Sequence, residues 1–242
     1  MSVSDSQDGA SALPKHIAII MDGNNRWAKR EGVASSAGHR AGVEAVREVL
    51  GACLDNGVST LTLFAFSSEN WGRPRPEVRA LLALLMRYLR NEVKQLHSDG
   101  VCLRFMGARA GFSQRLQKLM SDAEALTANN TRATLVIAVD YGGRWDIAQA
   151  ARQLARKVAA GEISPDSVDE HSLGQQLDCA DIPAPDLCIR TGGDTRISNF
   201  MLWQFAYTEL YFTETLWPDF DRAAFAAALT DFGLRERRFG LR

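Results

Sequence analysis

The sequence carries little excess charge of either sign: 28 Lys and Arg stand against 29 Asp and Glu, a formal net charge of -1. No global basic field argues for nucleic acid as a partner, so any anion site has to be local. Cysteine is scarce as well. Cys53, Cys102, Cys179 and Cys188 are scattered without metal-ligand spacing. Cys53 and Cys102 fall in apolar runs and read as small core residues in a reducing, cytoplasmic compartment. No apolar run approaches the roughly 20 residues that span a bilayer. Met1–Ala12 is polar and lacks the apolar centre of a secretion signal; residues 1–13 are expected to be a disordered tail ahead of one domain, 14–242. There is no internal repeat or low-complexity segment. Two phosphate-binding signatures are also missing, G-x-x-x-x-G-K-[ST] and G-x-G-x-x-G, as is the D-D-x-x-D cluster of helical prenyl transferases.

What is present is ordinary in bulk and specific in detail. With 46% hydrophobic and 24% charged residues, the composition is that of a globular protein, long enough for one large core. The most informative stretch is His16–Trp27, H-I-A-I-I-M-D-G-N-N-R-W. Its apolar run Ile17–Met21 reads as a buried parallel strand. Asp22 follows at the strand's carboxyl end. Gly23 permits an unusual backbone, Asn24 and Asn25 suit turns and caps, and Arg26-Trp27 opens a helix. In open α/β sheets, ligands sit outside the carboxyl ends of strands, where helix N-termini offer free N–H groups. A carboxylate, bare amides and an Arg at such a point suit a phosphate with a metal ion. A plain strand-turn-helix capped by Asp22 accounts for the same residues.

Strands and helices then alternate. The pattern predicts helix over Ala41–Leu54, strand over Thr60–Phe66, helix over Glu77–Leu96, strand over Val101–Met106 and helix over Phe112–Ala128. It continues with strand over Thr134–Val139, helix over Trp145–Ala160, a short helix within Val168–Leu177, strands at Asp186–Ile189 and Leu210–Phe212, and a last helix over Asp221–Arg237. Such alternation implies a single α/β domain, with a mostly parallel sheet of about six strands flanked by helices. The helix Glu77–Leu96 is apolar around much of its girth, through Leu81, Leu82, Leu84, Leu85 and Met86. It is either buried on several sides or lines an apolar cavity.

Several strands end in polar or glycine-rich clusters: Asp22–Arg26, Ser67–Arg73, Tyr141–Arg144 and Arg190–Ser198. Parallel strands put these ends on one edge, so the clusters are expected to converge. Several Arg with Gly-rich backbone suit a phosphate or diphosphate, and one or two carboxylates suit Mg²⁺. Each residue has a plainer reading. His39 could cap a helix, Glu69 could be a solvated acid, and Trp27 and Trp71 could simply pack.

Taken together, H-I-A-I-I-M-D-G-N-N-R-W-A at 16–28, G-H-R-A-G at 38–42, T-L-F-A-F-S-S-E-N-W-G-R-P at 62–74, Y-G-G-R-W-D at 141–146 and D-L-C-I-R-T-G-G-D-T-R-I-S-N-F at 186–200 resemble the cis-prenyltransferases. The likeness runs from about Pro14 to Gly240. It implies an Mg²⁺-dependent enzyme that adds isopentenyl diphosphate units in cis configuration to an allylic diphosphate, usually farnesyl diphosphate. The product would be a long polyprenyl diphosphate, a precursor of the carrier used in cell-wall synthesis. The resemblance implies that Asp22 binds the metal and is central to catalysis, and that Gly23, Asn24, Asn25 and Arg26 cradle the allylic diphosphate, with His39 nearby and Trp27 at the border. Arg190, Arg196, Ile197 and Ser198 would hold isopentenyl diphosphate, and Glu209 would be a second metal-associated carboxylate. Ser67, Ser68, Glu69, Trp71 and Arg73 would line the junction, with Asn70 in the position usually given as proton acceptor. A neutral amide is a poor base, so Asn70 reads better as an orienting group.

The resemblance also implies a homodimer, in which Arg238-Phe239-Gly240 reaches the partner's site, and an apolar tunnel with Glu77–Leu96 as one wall and Leu63, Ala65, Leu135 and Ile137 opposite. Transient membrane association for release of a greasy product is expected as well. Three departures stand out: Asn25 replaces a common Gly, Ala34-Ser35 a common Pro-Arg pair, and Asp194 a common Glu. Two rivals remain, a Mg²⁺-dependent phosphatase acting through Asp22 and a non-catalytic prenyltransferase subunit.

Overall fold

The structure, a computed structural model, describes residues 13–235. Nearly all of the expected tail and the Arg238-Phe239-Gly240 motif lie outside them. The elements are β1 (His16–Ile20), α1 (Asn24–Arg30), α2 (Ser35–Asp55), β2 (Thr60–Ser67), α3 (Arg75–Ser98), β3 (Val101–Met106), α4 (Gln114–Thr127), β4 (Ala133–Tyr141), α5 (Gly143–Ala159), α6 (Glu170–Gly174), β5 (Leu187–Arg190), β6 (Glu209–Phe212) and α7 (Arg222–Gly233). The strands pair in the order β3-β4-β2-β1-β5-β6, and every pairing is parallel.

Side-chain alternation along β1 explains the layering. Ile17 and Ile19 enter a core shared with α2, α3, α4 and α7, whereas Ala18 and Ile20 enter a second one with Val136, Tyr141 and Phe200. A sheet buried on both faces has to read as continuous apolar runs, as this one does. From β1 the chain moves to β2 on one side, and from β5 it moves to β6 on the other. The reversal lies between β1 and β5, so the crevice outside their carboxyl ends is where such a sheet takes its ligand.

Two helices differ from the sequence pattern. Helix α2 begins at Ser35, six residues ahead of the expected start at Ala41. Its glycines are packing devices rather than breaks: a Cβ at Gly38 would meet the Asn24 carbonyl, and one at Gly42 would meet the Asn24 side chain and Trp217. Helix α7 ends at Gly233 among the described residues, short of Arg237.

One buried polar group ties the strands' amino ends together. His16 is 1% exposed. Its Nδ1 lies 2.6 Å from the Pro183 carbonyl and its Nε2 2.7 Å from the Thr62 hydroxyl. A carbonyl can only accept, so Nδ1 carries the proton and Nε2 accepts from Thr62. Burial lowers the His16 pKa from 6.5 to about 4, against smaller raising effects of the Pro183 hydrogen bond and Asp186. The unfolded chain therefore takes up a proton between pH 6.5 and 4 that the folded chain refuses, so this contribution to stability is lost as pH falls through that window. At about 1.4 kcal/mol per tenfold difference in proton affinity, urea unfolding at pH 4.5 should show about 2 kcal/mol less stability than at pH 7 from this group. In His16→Gln that component should vanish. Equal pH slopes for the two proteins would refute the assignment.

Candidate active site

Asp22 and Arg190 meet across the switch point. Arg190, the last residue of β5, is 4% exposed. Its Nη2 donates to Asp22 Oδ2 at 2.8 Å and to Asp194 Oδ2 at 3.2 Å. Its Nη1 donates to the Arg196 carbonyl and to Ser198 Oγ, the latter at 2.7 Å. Arg26 closes the other side, with Nη2 3.0 Å from Asp22 Oδ1 and Nη1 donating to the Gly192 carbonyl. Arg196 donates to Asp194 at 2.8 Å. Three guanidinium groups thus surround two carboxylates, a cluster with an excess positive charge. Burial alone would raise the Asp22 pKa, but the hydrogen bonds from Arg190 and Arg26 outweigh it and hold the group below the ordinary carboxylate range. Asp22 is therefore ionised at any working pH.

The backbone around this cluster is specialised. Gly23 has φ 112°, and Gly192 and Gly193 have φ 85° and 83°, a region open to Gly at no steric cost. Thr191 Oγ1 stitches the two strand ends together, donating to the Asp22 carbonyl at 2.7 Å and accepting from the Asp22 N–H at 3.0 Å. The first N–H groups of α1, at Asn24, Asn25 and Arg26, have no partner within the helix; the ladder begins with the Trp27 N–H on the Gly23 carbonyl at 2.8 Å.

From this cluster a cavity of about 970 Å³ runs between α2, α3 and the sheet. Its mouth is polar: Asp22–Arg26, Ser67, Glu69, Asn70, Arg73, Arg190, Arg196 and Ser198. Its body is apolar: Val43 and Val46 of α2, Leu81, Leu82, Leu84, Leu85 and Tyr88 of α3, and Leu63, Ala65, Ile137 and Val139 of the sheet. Five consecutive residues of β2, Leu63 to Ser67, line it, which strict alternation forbids. Register shifts against β4 between Phe64 and Phe66, and between Phe66 and Ser67, re-aim the strand there. Leu135, expected in the wall, is instead fully buried in the core, two residues nearer the amino end of β4 than the cavity-lining Ile137.

His39 faces this cavity from the second turn of α2, inside the helix rather than capping it. Burial, and then the charge of Arg73, lower its pKa, with Glu77 opposing. The imidazole is thus neutral at physiological pH, and its buried Nε2 has no hydrogen-bond partner. Asn70 is less free. Its Oδ1 accepts the Ser67 N–H at 3.1 Å, fixing the turn after β2.

Other expected residues stand apart. Trp27 turns outward and donates to Asp219 at 2.8 Å, and Trp71 donates to Asp140 at 2.8 Å. Ser68 reaches toward Glu69 at 3.3 Å, and Ile197 packs on the second core; neither lines the cavity. Glu209 is opposite Leu187 at the amino end of β5 and β6, on the far edge of the sheet from Asp22, and pairs with Arg235 at 2.9 Å. The described chain does not bring it to the cluster. Two of the three departures touch each other: the Ser35 hydroxyl donates to Asn25 Oδ1, leaving the Asn25 amide N–H groups unused by that contact.

Sequence reasoning noted Asp194 without giving it a role, yet its carboxylate gathers Arg190 and Arg196; it missed Asn199, whose Nδ2 donates to Glu69 at 2.7 Å and whose Oδ1 accepts the Arg144 N–H at 2.9 Å. A signal existed for Asn199. Ser198 and Asn199 have φ 50° and 62°, and Asn tolerates that left-handed region better than most residues.

Comparison with known proteins agrees with this geometry. The family model described as "Putative undecaprenyl diphosphate synthase" matches residues 20–240. The chain is 58% identical to the ditrans,polycis-undecaprenyl-diphosphate synthase ((2E,6E)-farnesyl-diphosphate specific) of Xanthomonas campestris pv. campestris, over 98% of this chain and 92% of that protein. It is 56% identical to the protein so described from Pseudomonas aeruginosa, over 94% of this chain and 91% of the relative. Among solved structures, lavandulyl diphosphate synthase from Lavandula x intermedia, in complex with dimethylallyl diphosphate, superposes with a TM-score of 0.92 at 39% identity, covering 94% of this chain and 98% of that one. The chain belongs to the undecaprenyl diphosphate synthase family of cis-prenyltransferases.

Proposed function

We propose that this enzyme condenses isopentenyl diphosphate, in cis configuration, onto an allylic diphosphate, taking farnesyl diphosphate as its relatives' names indicate, and builds a long polyprenyl diphosphate. The observation that carries this reading is the cavity: a guanidinium-rich mouth at the sheet's switch point opening into an apolar body walled by α3. A diphosphate with a hydrocarbon tail needs both halves. The unpartnered N–H groups of α1 with Arg26, His39 and Arg73 receive the allylic diphosphate, and Arg190, Arg196 and Ser198 receive isopentenyl diphosphate. Glu69 and Asn199 brace the junction between them.

The donor set fits Mg²⁺. Asp22 offers a carboxylate, and among the described residues no group of three or more His, Cys, Asp or Glu forms a protein-only metal cage. Mg²⁺ commonly binds through one or two carboxylates plus substrate phosphates. Bound there, it would add positive charge beside the departing diphosphate. As the allylic C–O bond breaks, its electron pair leaves with the diphosphate, and Arg26 and the α1 amides stabilise that charge. The alkene of isopentenyl diphosphate, held by Arg190 and Arg196, forms the new C–C bond at the cation-like carbon. A proton is then lost. Asn70 is neutral and its carbonyl already accepts a hydrogen bond, so a diphosphate oxygen is the better proton acceptor and Asn70 orients the loop.

Within the described chain the Glu209 carboxylate lies away from Asp22 and pairs with Arg235. A homodimer would be the setting in which a second subunit contributes to the site, and release of the product implies transient contact with a bilayer. The test is chromatography of products from purified protein, farnesyl diphosphate, isopentenyl diphosphate and Mg²⁺. Chains many isoprene units longer than farnesyl are expected. No product beyond farnesyl diphosphate, or phosphate release from simple monoesters alone, would overturn the reading.

A further inference from the structure

Helix α3 has two faces of opposite character. One lines the apolar cavity through Leu81, Leu85 and Tyr88. The other is exposed and carries Arg79, Arg87, Arg90 and Lys94. At 100° per residue these four fall within one stripe, with Ala80 and Ala83 alongside. The acids of the helix are turned off this face and occupied elsewhere: Glu77 pairs with Arg73 at 2.9 Å, and Glu92 with Arg47. On the neighbouring α4, Arg115 is exposed as well, and with Arg90 and Lys118 it borders a shallow groove of about 360 Å³. Lys118 is the one cation of the set with a partner, Asp122 at 2.9 Å. Among the described residues, Arg79, Arg87, Arg90, Lys94 and Arg115 enter no ion pair, a condition they share with Arg132, Arg152 and Arg156 elsewhere; what sets them apart is their alignment along one helix face. The chain as a whole is slightly acidic, at -1, so this stripe is a local asymmetry and not part of a basic field.

We infer that the exposed face of α3, extended by α4, docks on an anionic lipid bilayer. The inference rests on the proposed function, because it is a polyprenyl product that gives the enzyme reason to meet a membrane. The 15 residue steps from Arg79 to Lys94 make roughly 22 Å of helix, a straight row of cations matched to a plane of phosphates. Docking by this face lays the tunnel's own wall against the bilayer, with one helix between the product chain and the lipid. Nucleic acid is the less suitable occupant. The stripe has no aromatic side chain on which a base could stack.

Co-sedimentation with vesicles tests this, using the protein alone so that the outcome is independent of whether prenyl transfer is observed. Vesicles of phosphatidylglycerol and phosphatidylethanolamine at 3:7 should bind, pure phosphatidylcholine should not, and binding should weaken with added salt. Each basic residue near an anionic surface contributes roughly fivefold to partitioning, so Arg87→Gln/Arg90→Gln/Lys94→Gln should lower it on the order of 100-fold. Arg90→Glu alone, a smaller perturbation, should lower it by more than about fivefold. Both variants should keep wild-type prenyl transfer in detergent. A control on other surfaces, Arg132→Gln/Arg152→Gln/Arg156→Gln, should keep vesicle binding. Equal binding to phosphatidylcholine, equal loss in the control, or stripe-dependent binding to a short RNA with none to vesicles would each overturn the inference.

Discussion

Asp22→Asn is expected to lower kcat for prenyl transfer by at least about 10³-fold while the protein stays folded. The substitution keeps the shape of the side chain and removes its charge. In the resting site that charge is shared between Arg26 at 3.0 Å and Arg190 at 2.8 Å, and each arginine keeps another acceptor, the Gly192 carbonyl for Arg26 and Asp194 for Arg190. Stability should therefore change little, since no cation is orphaned. Turnover should change greatly. Removing a single well-placed group from a site that stabilises developing charge costs on the order of 10²–10³ in rate, and losing the carboxylate for Mg²⁺ adds to that. The effect should fall on kcat more than on KM for either diphosphate, because Arg26, Arg190 and Arg196 remain to bind them. Single-turnover kinetics with both substrates, with thermal unfolding of the same sample, decide the matter. A fall of less than tenfold would remove Asp22 from the centre of the chemistry. A phosphoenzyme trapped on Asp22 in the wild type would point to the phosphatase reading instead.

The sequence made Asp22 visible because β1 is short, apolar and sharply ended. The same pattern exposed Arg190, Arg196 and Ser198 behind β5, while it left the α3 leucines open between core and cavity wall, and only the family resemblance made them a wall. What stayed hidden depends on pairings across the chain. Asp22 and Arg190 are 168 residues apart, and only the sheet order makes β1 and β5 neighbours. Asp194 reads as one more loop acid until three arginines are seen around it. Trp27 and Trp71 were expected at the site, but periodicity does not say which way an indole points: Trp27 found the exposed Asp219 and Trp71 the partly buried Asp140. Glu209 was placed by motif alone, and strand register sets it at the amino end of β6, away from Asp22 within one chain. The start of α2 was obscured because Gly38 and Gly42 weaken a helical signal, yet they are what lets α1 lie against α2 and presents His39 to the cavity.

Arg190→Lys tests whether the fork or merely the charge matters. The guanidinium of Arg190 serves four acceptors at once: two carboxylates, a carbonyl and a hydroxyl. A lysine ammonium is a point charge with three donors and no fixed plane, so it cannot span that set. It should keep the fold, since the positive charge between Asp22 and Asp194 survives, but lower kcat/KM for isopentenyl diphosphate by about 10²-fold, largely through KM. Arg190→Met removes the charge as well. Asp22 and Asp194, 29% and 33% exposed at their side chains, would then face each other with only Arg26 and Arg196 to screen them. Breaking a buried pair in this way costs about 3–5 kcal/mol, and the partial exposure of the two acids places this case at about 3 kcal/mol. The Asp22 pKa should rise, because burial is then opposed by one arginine rather than two, so any residual activity of Arg190→Met should gain an acid limb at higher pH than the wild type shows. If Arg190→Lys kept wild-type KM for isopentenyl diphosphate, Arg190 would be a structural tie for Asp22 and Asp194, and substrate binding would fall to Arg196 and Ser198 instead.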